Sequence, residues 1–200
     1  MVCRCACGPV IADAQQWAAL LFGRSDRRVL RLSRLRGGRL AQSMSAELLC
    51  RDLLAALRPG ETHCLEEDES GKPFLPHSPL FVSLSHSGSF VAAAVADRPV
   101  GIDLQEKRMI REGVLRRWYS ATERDWIENG DTLERAVRLW TMKEAYAKLK
   151  GTGIFRGDRF SAGFSGDRLV TRYDDVDFQF PEAPEGYLFT VCLADALNGA

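Results

Sequence analysis

Phe90-Val91-Ala92-Ala93-Ala94-Val95-Ala96 constrains this chain more than any other stretch, because seven apolar residues run unbroken between the turn signal His86-Ser87-Gly88 and Asp97. A short continuous run of this kind predicts a strand buried within a sheet. Phe81 to Ser85 alternates as a preceding strand should, and Pro99 to Leu104 predicts the following one. The short link Asp97-Arg98-Pro99 predicts that these last two pair as a hairpin. Upstream, Leu48, Leu49, Leu53, Leu54 and Leu57 form a core-facing stripe that predicts a helix from Ser43 to Leu57, stopped by Arg58-Pro59-Gly60. Glu66 to Ser70 reads as a polar loop. Downstream, Ser120 to Glu123 opens a short helix that Asn129-Gly130 closes. Asp131 with Glu134 then reads as the capping box of a longer helix ending at Gly151. Beyond Gly153 the chain reads as strand and turn, with Phe160 to Phe164, Leu169 to Tyr173 and Tyr187 to Leu193 as strand candidates.

An internal echo accompanies this order. Gly88 precedes Asp97 by nine residues across an apolar run, and Gly186 precedes Asp195 in the same way, as two lobes of similar design would produce. The 200 residues, 46% of them hydrophobic, suffice for one ordinary domain or two small lobes sharing a core. Lys and Arg number 27, as do Asp and Glu, so no whole-molecule field argues for nucleic acid or a membrane surface. Charge is uneven locally: Arg24 to Arg39 is arginine-rich with Asp26 as its one counter-charge, suited to a phosphate or an acidic protein face, or simply to water. An apolar segment around Trp17 to Phe22 precedes it. The sequence has no run of eighteen apolar residues and no apolar segment behind a basic N-terminus, so a cytoplasmic protein is expected. Cys3, Cys5 and Cys7 are spaced by two and lack the second Cys or His pair of a zinc site, so all six cysteines are expected as reduced thiols.

The chemistry concentrates in two stretches, Gly101 to Glu106 and Trp140 to Lys148. On a strand, Asp103 and Gln105 share one face while Leu104 takes the other. On a helix, Trp140, Glu144 and Lys148 lie one turn apart on one face. Asp103 and Glu144 together match the one or two carboxylates that a protein gives a magnesium ion whose other ligands are water and substrate phosphate oxygens. Lys148 is placed to offset phosphate charge. Taken singly these residues admit plainer roles, a strand-end Asp capping a turn and an i,i+4 Glu–Lys surface pair worth about 0.2–0.5 kcal/mol. Trp140 on the same helix face favours the site. Ser85-His86-Ser87-Gly88 reads as a polar turn able to grip phosphate oxygens, or as a plain hairpin turn.

Taken in order, Gly71-Lys72-Pro73, Ser83-Leu84-Ser85-His86-Ser87, Gly101-Ile102-Asp103 and the helix bearing Trp140, Lys143, Glu144, Ala145 and Lys148 resemble the 4'-phosphopantetheinyl transferases of the surfactin-synthetase-activating type. The resemblance spans Gly71 to Gly153. It implies an α/β (α+β) monomer of two similar lobes related by a pseudo-twofold axis, residues 1–98 serving the nucleotide end of coenzyme A and the carrier protein, residues 99–200 holding metal and catalytic residues. Coenzyme A would lie in the cleft between lobes. The implied reaction moves phosphopantetheine from coenzyme A to a serine of an apo acyl or peptidyl carrier protein, with Mg2+ (or Mn2+), releasing adenosine 3',5'-bisphosphate. The resemblance further implies Lys72 and Pro73 at the adenine and phosphate end, Ser85 and His86 at the 3'-phosphate, Asp103 and Glu144 as metal ligands, Lys148 on the transferring phosphate, and Glu144 or a water it orients as base. The arginine-rich stretch would steer an acidic carrier helix. Gln105 stands where many members have a second acid and offers a neutral oxygen instead. Gln42 stands where a basic residue often grips coenzyme A, with Arg39 as a substitute. Two rival readings are a magnesium-dependent phosphodiesterase or nuclease using the same carboxylates, and a non-catalytic module that binds carrier proteins.

Overall fold

The computed structural model describes residues 2–11, 26–152, 159–173 and 175–195. Trp17 to Phe22 and Arg24 lie outside them. Contacts divide the chain into two compact units, Met1–Val100 and Gly101–Ala200.

The first unit holds β1 (Cys3–Pro9), α1 (Arg27–Leu32), α2 (Gly37–Leu57), β2 (Glu66–Glu67), β3 (Pro73–Phe74), β4 (Phe81–Ser87) and β5 (Phe90–Ala96). The apolar run is β5, the middle strand of an antiparallel sheet ordered β1-β5-β4. Val82, Ala93 and Val95 on this sheet pack with Cys50 and Leu54 of α2. Because β1 and β4 occupy both edges of β5, no edge remains for the hairpin expected with the Pro99–Leu104 strand. That strand pairs elsewhere. Asp97 instead ties the end of β5 to the start of β1: its N–H donates to Val2 O at 3.0 Å, and its Oδ2 accepts from Val2 N at 2.7 Å. The two-residue cysteine spacing, unremarkable as a metal motif, is the period-two signature of β1, with Cys3, Cys5 and Cys7 opposite Ala96, Ala94 and Ala92.

Two other expectations need correction. Helix α2 begins at Gly37, six residues before the expected start, although Arg36 makes no side-chain cap and Gly37-Gly38 weakens the first turn. Tertiary packing overrides propensity there: Met44 and Leu32 are fully buried, with Leu35, Leu40 and Leu48 against them. The polar loop around Glu66 contains a strand, because Glu67 is not solvated. Its carboxylate accepts from Arg28 Nη1 at 2.8 Å and from Arg31 Nε at 2.8 Å, while Arg28 Nε donates to Glu47 at 2.6 Å. Arg28 is 2% exposed, so this member of the arginine-rich stretch stabilises the interior and does not face a partner.

The second unit is built on β6 (Val100–Glu106, its first residue counted with the first unit), α3 (Glu112–Trp118), α4 (Ala121–Glu128), α5 (Thr132–Lys150), β7 (Phe164–Ser165), β8 (Arg168–Leu169), β9 (Val176–Gln179) and β10 (Tyr187–Ala194). Its main sheet is ordered β6-β10-β9. The expected strands at Phe160 to Phe164 and Leu169 to Tyr173 shrink to the tip of a β7–β8 hairpin, because Phe160 and Tyr173 are drawn into an aromatic cluster with Tyr146 and Phe178. Helix α5 lies on β10: the Thr141 and Thr190 hydroxyls share a hydrogen bond of 2.6 Å, and Arg138 donates to Phe189 O at 2.9 Å. Asp131 Oδ1 caps α5 by accepting from Glu134 N at 2.9 Å, but the Glu134 carboxylate goes to Lys107 Nζ, 2.9 Å away. The complete capping box belongs to α4, between Ser120 and Glu123. Gly151 ends α5 at φ 71°, the left-handed C-terminal position that glycine adopts without cost. Among the described residues no helix is long and apolar enough to cross a membrane.

Candidate active site

Gly101 sets the geometry. A β-carbon at that position would stand 2.0 Å from the Ala145 carbonyl oxygen and 2.4 Å from Leu149 N. Strand β6 therefore meets the backbone of α5 with no side chain between them, an approach that glycine alone permits. The two-residue period puts Asp103 and Gln105 on the same strand face as Gly101. That face therefore runs along α5 in the opposite direction. Asp103 Oδ1 accepts from Lys148 Nζ at 2.7 Å, Gln105 borders a cleft with Trp140 and Val137, and Lys107 closes the series on Glu134. Ile102 and Leu104, on the other face, are fully buried and fix the strand.

The helix supplies the matching half. Trp140, Glu144 and Lys148 recur one turn apart and are half-buried, while Thr141, Ala145 and Leu149 beside them are buried. Burial, and then the neighbouring Asp103, push the Glu144 carboxyl up to about 7, while Lys148 pulls it down. Two carboxylates and one ammonium thus share a small volume. Asp103 is 5% exposed, so its charge is held in a medium that strengthens attraction and repulsion alike. Among the described residues no three His, Cys, Asp or Glu side chains group as a metal site. The donor set is two carboxylates with Gln105 on the same strand face, which suits a hard cation that keeps waters and takes substrate oxygens.

A second buried pair was not foreseen. Lys143 donates to Glu123 Oε1 at 2.7 Å and to Phe160 O at 2.7 Å, and Glu123 also accepts from Ala162 N at 2.8 Å. With Glu123 fully buried and Lys143 at 5% exposure, this pair pins the turn of α5 that carries Glu144. The spacing of Ser120 and Glu123 announced a helix start but not the second use of the same carboxylate.

The candidates of the first unit occupy a different setting. Pro73 opens β3. Lys72 precedes it, its N–H donating to Asp68 Oδ1 at 2.9 Å, and burial lowers its ammonium pKa while Asp68 opposes this. Ser85 and His86 lie within β4, not in a turn. The strand continues to Ser87, and the turn is Gly88-Ser89, fixed by the Ser87–Phe90 register. Consecutive strand residues face opposite ways; Ser85 is buried and His86 exposed. Gln42 Nε2 donates to Gly88 O at 2.8 Å, which brings the first turns of α2 to that hairpin tip.

Residues 99–192 match the family model described as the 4'-phosphopantetheinyl transferase superfamily. The chain is 36% identical over 137 residues to 4'-phosphopantetheinyl transferase psf-1 of Bacillus pumilus, covering 65% of this chain and 59% of that protein. It is 31% identical over 136 residues to 4'-phosphopantetheinyl transferase Sfp of Bacillus subtilis (strain 168), covering 63% and 61%. To 4'-phosphopantetheinyl transferase AcpT of Escherichia coli (strain K12) it is 37% identical over 93 residues, covering 42% and 46%. The chain thus spans about three fifths of the length of the first two relatives. The matched region contains β6 and α5, the two elements that bring Asp103, Glu144 and Lys148 together. Over these stretches, which carry the proposed site, the chain is similar to the 4'-phosphopantetheinyl transferase superfamily.

Proposed function

We propose that this protein transfers 4'-phosphopantetheine from coenzyme A to a serine of an acyl or peptidyl carrier protein, acting as a cytoplasmic monomer. The observation that carries the reading is the Asp103–Glu144–Lys148 cluster, held by the Gly101 approach of β6 to α5, inside the region similar to these transferases. Asp103 and Glu144, with Gln105 as a neutral oxygen donor, would hold magnesium, which when bound withdraws charge from the pyrophosphate oxygens. Lys148 is placed to neutralise charge developing on the phosphoryl group and on the leaving bisphosphate. Glu144, directly or through a water, takes the proton of the carrier serine as its oxygen attacks phosphorus. Lys72 and Pro73, with Ser85 and His86, receive the nucleotide end of coenzyme A.

The proposal includes two lobes of similar design, residues 1–98 and 99–200. In each unit a left-handed glycine, Gly88 at φ 52° or Gly186 at φ 78°, leads into the middle strand of a three-stranded sheet that takes the longest helix of that unit. The echo between residues 88–97 and 186–195 follows from that shared plan. Steering of an acidic carrier falls to the exposed Arg27, Arg34, Arg36 and Arg39, since Arg28 is buried. A phosphodiesterase would need water in place of serine, and with Lys and Arg equal in number to Asp and Glu no whole-molecule field draws a nucleic acid.

The test is incubation with coenzyme A, magnesium and a panel of apo carrier proteins, read by intact mass. A phosphopantetheine mass gain on at least one carrier is expected. No gain on any carrier would refute the enzyme reading.

A further inference from the structure

Beside the carboxylate cluster opens a cleft of about 540 Å³, within the size range of small-molecule sites. Gln105 and Trp140 line it, and each neighbours the cluster, Gln105 two residues from Asp103 and Trp140 one helical turn from Glu144. Its walls include Trp118 and Val137, and its exposed lining includes Arg108 and Arg111. Among the described residues neither guanidinium meets a carboxylate, which holds also for Arg117, Arg124, Arg138, Arg159 and Arg168 of this unit, but of these seven only Arg108 and Arg111 line the cleft. The cleft thus joins an apolar wall to two exposed cations at its mouth, one step from the proposed reacting phosphate.

Resting on the transferase reading, we infer that this cleft seats the pantetheine arm of a coenzyme A thioester whose acyl group ends in a carboxylate. The arm is attached to the phosphorus that reacts, so it must leave the cluster along a neighbouring surface, and the cleft is that surface. The free thiol of coenzyme A carries no charge and would leave both guanidiniums unused. A short dicarboxylic acyl group reaches past the thioester with one carboxylate, which an arginine pair binds well. In the transfer the serine oxygen forms a bond to the phosphorus bearing the pantetheine arm, and the bond from that phosphorus to the bridging oxygen breaks. Adenosine 3',5'-bisphosphate keeps that oxygen, and the serine proton passes to Glu144. The thioester is untouched, so the carrier receives the acylated arm whole.

The experiment measures binding of coenzyme A, butyryl-coenzyme A and succinyl-coenzyme A by calorimetry, and their use as donors to an apo carrier, for the wild type and for the double variant R108A/R111A. Two partly exposed charge pairs give roughly a fivefold advantage of succinyl- over butyryl-coenzyme A, in affinity and in kcat/KM. The double variant should abolish that advantage. Equal binding of the two thioesters by the wild type overturns the inference. So does an equal loss with all three donors in the variant, which would assign the arginines to the carrier protein. If the binding difference stands but no donor modifies any carrier, the transferase reading fails and the anionic acyl site remains.

Discussion

Replacing Gly101 by alanine tests the link between packing and chemistry. The added methyl would lie 2.0 Å from Ala145 O, 2.4 Å from Leu149 N and 2.9 Å from Leu149 Cβ. An ordinary carbon–oxygen contact is more than 1 Å longer than the first of these, and two of the three atoms are backbone, which cannot rotate away. Strand and helix must therefore part by about 1 Å. Overpacking of this kind costs about 1–3 kcal/mol, or roughly 2–12 °C in Tm at this chain length, near 2–4 °C per kcal/mol, so the variant folds. The same movement carries Asp103 away from Lys148 and Glu144, and a misplacement of about 1 Å is worth on the order of a hundredfold in rate. The expected result is a lower Tm by differential scanning calorimetry together with about a hundredfold loss in transfer. Ile102→Val is the control: it removes one buried methyl on the opposite face, costing about 0.5–1.5 kcal/mol, and should keep near-normal activity. Gly101→Ala with wild-type turnover would refute the claim that the close approach positions the carboxylates.

Lys143→Met leaves the fully buried Glu123 without its cation, so it should destabilise by about 3–5 kcal/mol, read by urea denaturation, whereas the double change Lys143→Met/Glu123→Gln should recover much of the loss. Arg28→Met should cost a similar amount because Glu47 and Glu67 would stay buried, while Arg34→Ala, exposed, should change stability by less than about 0.5 kcal/mol. Because burial and Asp103 raise the Glu144 carboxyl to about 7, the folded chain holds that proton more tightly than the unfolded chain. Metal-free stability should therefore fall as pH rises from the ordinary carboxylate range to about 7, by up to about 3 kcal/mol, and Glu144→Gln should flatten the fall in denaturation measured across that range. Lys72→Ala and His86→Ala should raise KM for coenzyme A more than they lower kcat, since contacts equal in ground and transition states act on KM.

What the sequence made legible follows from period and spacing. The unbroken run of β5, the helical interval joining Trp140, Glu144 and Lys148, and the strand interval joining Asp103 and Gln105 are local, and local geometry puts each set on one face. Ends and pairings depend on partners remote in sequence. The Phe90–Ala96 run says that a strand is buried but not that both its edges are taken, so the hairpin with β6 could not be excluded. Glu67 looked like a loop residue because nothing near it announces Arg28, thirty-nine positions away. Gly101 was noted beside Asp103, yet its reason, the Ala145 carbonyl against its α-carbon, exists only in the fold.

The central claim is that Asp103 and Glu144 together form the centre of phosphopantetheine transfer. It is tested most directly by following the intact mass of an apo carrier with coenzyme A and magnesium, using wild type, Asp103→Asn, Glu144→Gln and the double variant, each shown to be folded by circular dichroism. Both single variants should lose at least about a hundredfold in rate, and the double variant should be little worse than either, because residues acting as a unit are strongly non-additive. Near wild-type modification by either folded single variant, or losses that simply multiply in the double, would contradict the account.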